Sequence, residues 1–208
     1  REVFGTDDAS GAWSMRDAYD ALEAAQVLFL RDSDCSPLKH GDPVAVLRAL
    51  TDLEQSLPTQ TYRSEHQVDF QQFSTPVALA WLAALCARTT ADDVVLEPSA
   101  GTGMLTVLAT RAGAVLHLNE RDPARAALLA KVTGQHVTNY DGAGIDDWLP
   151  ASFAPDVVLI NPPFSRSEDR GRDRHAGARH LRSALLRMRP HGRCVAILAG
   201  NFTADGPG

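Results

Sequence analysis

The chain has 208 residues, 44% hydrophobic and 22% charged, with a net charge of −6. That is the composition of a soluble globular domain with room for one core, and it excludes collagen-like, disordered-tail and small disulfide-scaffold classes. Three scattered cysteines, Cys35, Cys86 and Cys194, form no C-x-x-C pair. This speaks against a zinc ribbon or a disulfide framework and for a reduced, cytoplasmic setting. No apolar run reaches the roughly 20 residues that a membrane-spanning helix needs.

Taken in chain order, the sequence opens with Arg1 and carries no signal-peptide pattern, so further residues are expected before it. Residues 1–68 read as an N-terminal helical extension. Ala12–Leu30 has a helical stripe at Met15, Tyr19, Leu22, Val27 and Leu30, broken at Gln26. Pro43–Leu57 is a second amphipathic helix, with Val44, Leu47, Leu50 and Leu53 on one face and Pro58 ending it. These helices read as a packing cap over the sheet edge or a partner contact.

From residue 69 to 208 helices alternate with short apolar strands. A helix over Pro76–Ala87 takes Thr75 as its N-cap. Strands follow at Val94–Leu96, Ala114–Asn119, Val137–Tyr140, Asp156–Ile160 and Cys194–Leu198. Helices at Met104–Arg111, Asp122–Val132 and Gly177–Met188 separate them. Strands about 20 residues apart, joined by helices, imply right-handed crossovers and a doubly wound, mostly parallel α/β sheet. Ligands of such a sheet sit at the carboxyl ends of its strands.

Four segments at those ends carry chemistry. Glu97-Pro98-Ser99-Ala100-Gly101-Thr102-Gly103 follows the first strand, and its two glycines permit a tight turn and close backbone approach to a ligand. The full dinucleotide fingerprint fails, because Thr106 stands where a third glycine belongs, so NAD is disfavoured. Glu97 is suited to an amino-bearing or cationic ligand. Glu120, after the second strand, holds the position of a ribose-binding carboxylate. Asp141 after the third strand is suited to the exocyclic amine of an adenine, or equally to an ordinary Asx turn. Asp146 and Asp147 read as solvated surface.

The sharpest segment is Asn161-Pro162-Pro163-Phe164, after the most hydrophobic strand. Two prolines remove two N–H donors and leave acceptors. The Asn161 side-chain oxygen and the Pro162 carbonyl can take both hydrogens of a planar NH2 group. Phe164 offers a stacking face. Between Asn161 and Arg193 stand nine arginines and three acids, a local +6 on an acidic chain. Arg166, Arg170, Arg172 and Arg174 in the Ser165–His180 loop are candidate phosphate contacts, with a solvated face as the plainer reading. His66, His117 and His136, and Trp13, Trp81 and Trp148, read as packed, interface or surface residues.

Together, Glu97–Met104, Glu120, Asp141 and Asn161–Phe164 resemble the motif series of class I S-adenosylmethionine-dependent methyltransferases that act on amines. With Gln71-Gln72-Phe73-Ser74-Thr75-Pro76 the resemblance narrows to DNA adenine-N6 methyltransferases. More narrowly still, Gln71–Phe164 with the Asn201–Pro207 tail resembles the methylase domain of bacterial Strawberry-notch-type methylase–helicase proteins. It covers about residues 68 to 208. It implies a Rossmann-like fold and S-adenosylmethionine as cofactor. Pro98, Ser99, Ala100, Gly101 and Gly103 would hold the methionine portion, with Glu97 near its amino group. Glu120 with Arg121 would hold the ribose, and Asp141 with Gly142 the adenine. Phe73 and Thr75 would close the methionine pocket. Asn161, Pro162, Pro163 and Phe164 would hold the target amine for direct in-line attack, with Asn161 also counted among the cofactor-binding residues and with no metal. Implied partners are DNA and a linked helicase or recognition domain outside this chain, with no membrane. The resemblance also implies a domain that continues beyond Gly208 into a last hairpin. An RNA guanine amine, a protein glutamine amide, or a non-catalytic scaffold role stay open as alternatives.

Overall fold

A computed structural model of the chain describes residues 11–34, 36–39, 41–58, 74–163, 166, 167, 171–173, 175–198 and 202. Two helices open it. Helix α1, Met15–Asp32, starts at a capping box in which Ser14 and Asp17 satisfy each other's backbone N–H groups. Its apolar stripe buries Tyr19, Ala24, Val27 and Leu30, and Glu23 is buried with them. Helix α2, Pro43–Ser56, begins where the Asp42 carboxylate accepts from the Val44 and Ala45 amides, with proline at the first position.

Helix α3, Val77–Ala87, starts one residue later than its sequence suggests. Thr75 does not cap it. Pro76 occupies the cap position without a side-chain bond, and the Thr75 hydroxyl is engaged elsewhere. The remaining elements are strand β1, Val94–Glu97; helix α4, Thr106–Arg111; strand β2, Val115–Asn119; and helix α5, Pro123–Thr133. Then come β3, Val137–Thr138; a short helix α6, Ile145–Trp148; β4, Val157–Ile160; a two-residue ribbon of β5, Arg166–Ser167, and β6, Gly171–Arg172; helix α7, Ala176–Arg187; and β7, Arg193–Ala196.

β1, β2, β3, β4 and β7 form one parallel sheet in the order β3-β2-β1-β4-β7. The chain winds outward from β1 through β2 to β3, then returns to β4 on the other side of β1. The reversal between β1 and β4 is the topological switch point, where a crevice opens at the carboxyl ends. β4 is buried at all four positions, as a strand covered on both faces must be. On one side, α1, α2 and α3 share a core with Met104, Val107 and Val132. The other face packs Leu96, Val158 and Ile160 on Ile145 and Ala184.

Two further expectations change. The Ser165–His180 stretch is not one open loop: it contains the β5–β6 ribbon, and α7 already begins at Ala176. Asp146 is not merely solvated, because its carboxylate accepts from the Ser183 hydroxyl, tying α6 to α7. Among the described residues no helix is long and apolar enough to cross a membrane.

Candidate functional site

The loops that follow β1, β2 and β3 are fastened by one buried side chain. The Asn119 amide nitrogen donates to the Pro98 and Tyr140 carbonyls, each at 2.9 Å. Its oxygen accepts from the Thr138 hydroxyl and the Tyr140 amide, each at 2.8 Å. All its hydrogen-bonding capacity is used within the protein, which is how a buried amide becomes a rigid joint.

On that joint sits the Pro98–Leu105 turn. Gly101 and Gly103 have φ of +57° and +101°, values that side chains with a Cβ rarely adopt. A Cβ at Gly103 would lie 2.8 Å from the Leu129 side chain, so space as well as torsion demands glycine there. The Gly101 amide donates to Glu120 Oε2 at 2.8 Å, and the Asp122 amide to Glu120 Oε1 at 2.9 Å. Glu120 is thus fixed at the end of β2, each oxygen holding one backbone N–H and keeping a lone pair for a ligand. Arg121 beside it is exposed.

Glu97 ends β1 with 1% exposure. Its carboxylate accepts from the Thr106 hydroxyl. Burial pushes its pKa up to about 8; the Thr106 bond opposes this, and the Glu120 charge adds to it. In the free protein at pH 7 Glu97 is therefore mainly neutral. Thr106, read in the sequence as a failed third glycine, is the fully buried partner of this carboxyl.

Asp141 is exposed and accepts from the Ala143 amide at 2.9 Å, so the Asx-turn geometry is present, three residues beyond the end of β3 at Thr138. Gly142 lies in a close fit: a Cβ there would be 2.9 Å from the His180 ring and 3.0 Å from the Pro98 carbonyl. His180 is buried on α7 with Nδ1 3.0 Å from the Ala176 carbonyl. Burial lowers its pKa and keeps the imidazole neutral, against the raising effects of Ala176, Asp141 and Asp173.

Asn161 follows β4. Its amide nitrogen donates to Thr75 Oγ1 at 2.9 Å. Its Oδ1 is buried and has no hydrogen-bond partner among the described residues. Such an acceptor is costly unless something completes it. Pro162 is buried, and the Pro163 carbonyl lies 3.3 Å from where a Cβ on Gly177 would stand, so α7 seats its first turn directly on the proline pair. Phe73, Phe164, Arg170 and Arg174 lie outside the described residues. So do His66, Cys35 and the side chains of Arg166 and Arg172. His117 and His136 are exposed, with His117 tilted against the Phe153 ring. Trp148 is 57% exposed and stacks on Tyr140.

The structure thus gathers Glu97, the Gly101–Gly103 turn, Glu120, Asp141, Asn161 and Thr75 at the carboxyl ends of one parallel sheet. The sequence reading missed Glu23, Asn119, Arg125 and His180 as residues of this region, and gave Thr102, inside the glycine segment, no role of its own. Only the position of Asn119, the last residue before Glu120 at a strand end, could have signalled one of them.

No known protein family and no curated protein matches the sequence. Solved structures do resemble the fold. TrmN from Thermus thermophilus superposes with a TM-score of 0.51 at 20% identity, over 66% of this chain and 44% of that one. A putative RNA methyltransferase from Pyrococcus horikoshii gives 0.51 at 23% identity, over 74% of each chain. A modification subunit of a putative type I restriction enzyme from Vibrio vulnificus YJ016 gives 0.52 at 16% identity, over 80% of this chain and 42% of that one. The chain therefore spans less than half the length of TrmN and of the modification subunit. The fold is that of the class I, Rossmann-like methyltransferases.

Proposed function

We propose that the chain is an S-adenosylmethionine-dependent methyltransferase domain acting on an exocyclic amine, with adenine N6 in DNA as the target. The observation that carries the amine is Asn161: a buried acceptor without a partner among the described residues, on an amide whose nitrogen is pinned by Thr75. The residues present also suit the cofactor. The glycine turn offers backbone with positive φ, Glu120 keeps free lone pairs for vicinal hydroxyls, and Glu97 is a buried carboxyl with no cation beside it among the described residues.

When bound, S-adenosylmethionine supplies a methyl group on a sulfonium, an electrophile with a good leaving group. The protein's work is then orientation. Asn161 Oδ1 and the Pro162 carbonyl accept the two amine hydrogens, which draws the nitrogen lone pair out of conjugation. Thr75 fixes the Asn161 amide so that oxygen, not nitrogen, faces the target. By its place in the motif, Phe164 would supply the ring that stacks on the base. No strong base is required before attack, since the proton can leave the methylated nitrogen afterwards. The motif series Gln71–Phe164 supports the narrower likeness to Strawberry-notch-type methylases and hence a linked helicase or recognition domain.

Calorimetric titration with S-adenosylmethionine and S-adenosylhomocysteine, with NAD as control, tests the cofactor. The expected result is micromolar binding of the first two, weakened tenfold or more in Glu120→Ala, about 1.4 kcal/mol. Labelled methyl transfer to duplex DNA, single-stranded DNA, RNA and a glutamine-containing peptide then tests the acceptor. Label on adenine N6 of DNA is expected. Label on an RNA guanine or a glutamine amide would replace the DNA reading. Absence of binding to both cofactor forms would leave a scaffold.

A further inference from the structure

The N-terminal helix does more than cover apolar surface. Helix α1 places three charged residues against the β2–α5 junction and the glycine-rich turn. Arg16 pairs with Asp122, the α5 cap whose amide holds Glu120. Asp20 lies 3.3 Å from Arg125 Nε. Glu23, 3% exposed, accepts from Thr102 Oγ1 at 2.8 Å and from Arg125 Nη2 at 3.2 Å, both at the same oxygen.

Thr102 is the residue between the two glycines. It is itself 3% exposed, and its hydroxyl is the turn's side-chain handle. Beside the Asn119 joint at Pro98, the Gly101–Gly103 segment is thus anchored from outside by Glu120 on the Gly101 amide and by Glu23 on the Thr102 hydroxyl. Arg125 sits between them. Its Nη2 is 3.1 Å from where a Cβ on Gly101 would stand, so the guanidinium packs on the turn's backbone. Burial lowers the Arg125 pKa, but the surrounding carboxylates, Glu120 first and then Glu23, Asp20 and Asp122, more than offset this and keep it charged.

A carboxylate carried into a protein interior is costly without a charged partner. A plain packing helix would place an apolar residue at position 23. The geometry points to Glu23 as a positioning residue: α1 is a wall of the cofactor site, and Glu23 sets the Gly101–Thr102–Gly103 turn through Thr102 and Arg125. This rests on the reading above, that the turn holds the methionine portion of the cofactor. It extends that reading by making a helix about 80 residues upstream part of the binding machinery.

The distinguishing consequence is selective. A turn released from Glu23 should lose grip on the methionine arm and not on the nucleoside. The test compares S-adenosylhomocysteine with adenosine on wild type, Glu23→Ala, Glu23→Gln, Thr102→Val and Thr102→Ser, each verified as folded by its melting curve. Amide hydrogen exchange is read over residues 100–106. Glu23→Ala and Thr102→Val are each expected to weaken S-adenosylhomocysteine about tenfold while changing adenosine less than twofold. The double variant should be no weaker than the worse single one, because Glu23→Ala already removes the link that Thr102→Val removes. Thr102→Ser, which keeps the hydroxyl, should restore binding. Exchange over 100–106 should rise at least tenfold in Glu23→Ala, and less in Glu23→Gln, which can still accept from Thr102.

Equal weakening of both ligands, or additive losses, would make Glu23 a stability residue and overturn the proposal. Unchanged exchange in Glu23→Ala would overturn it as well. If wild type binds neither ligand, the cofactor reading fails by itself, and the exchange result still decides whether Glu23 holds the turn.

Discussion

Glu97 gives the most quantitative expectation. Its carboxyl is fully buried, and its pKa stands at about 8 instead of the usual 4.5. At pH 7 about nine-tenths of the free protein carries it protonated. If the Glu97 carboxylate pairs with the ammonium of the cofactor's methionine arm, that proton must leave on binding. About 0.9 proton per bound cofactor should then be released at pH 7, and ionising the group should cost about 1.4 kcal/mol, a tenfold loss of affinity. Between pH 6 and 7 log K should rise with a slope near 1. The assay is titration calorimetry of S-adenosylhomocysteine at pH 7 in buffers of different ionisation enthalpy, with the net proton count read from their comparison. Glu97→Gln keeps an acceptor for Thr106 but has no proton to lose, so it should bind with no release and a flat pH profile. Binding by wild type without proton release would refute the argument. Glu97 would then stay a neutral partner of Thr106.

Other expectations follow from the same geometry. Asn161→Ala should abolish methyl transfer and leave cofactor affinity within twofold, since Asn161 is placed on the amine side; retained transfer would remove Asn161 from the mechanism. Gly103→Ala, with φ of +101° and Leu129 at 2.8 Å from the new Cβ, should destabilise by about 2–4 kcal/mol, measured by urea unfolding. An Asn119→Ala variant strands the Pro98 and Tyr140 groups and should cost about 3 kcal/mol or more, with cofactor binding lost before the fold. Asp20 has its pKa raised to about 6, chiefly by burial, with Arg125 opposing. The folded state therefore holds a proton that the unfolded state loses near pH 4, and stability should fall as pH rises from about 4 to 6. The effect should be about 1–2 kcal/mol after solvent screening, and Asp20→Asn should remove it from the urea midpoints.

The motif residues were legible because each stands next to its own strand. A short run such as Val157–Ile160 is hydrophobic on both faces, so it reads as a buried strand, and whatever follows it lies at a carboxyl end. Glu97, Gly101, Glu120, Asp141 and Asn161 were placed at those ends in this way, from local order alone. Asp122-Pro123 announced a helix start for the same reason: a cap acts on amides two and three residues ahead. The Thr75-Pro76 pair carried the same signal and misled, because a nearby backbone amide and the Asn161 amide compete for one hydroxyl. Only the folded chain brings the second within 2.9 Å.

What local order could not give is the set of partners set by distance along the chain. In sequence Glu23 is one charge in an imperfect stripe, and Arg125 is one cation on a short helix. Folding brings them together across about 100 residues and buries both. Glu97 looks like any strand-end acid until the sheet, α4 and Thr106 exclude water from it, and only then does its proton affinity rise. Residue type and strand spacing fix where a ligand can lie and which groups meet it. Burial and long-range pairing fix the charge those groups carry, because the cost of a charge depends on its surroundings and not on its neighbours in sequence.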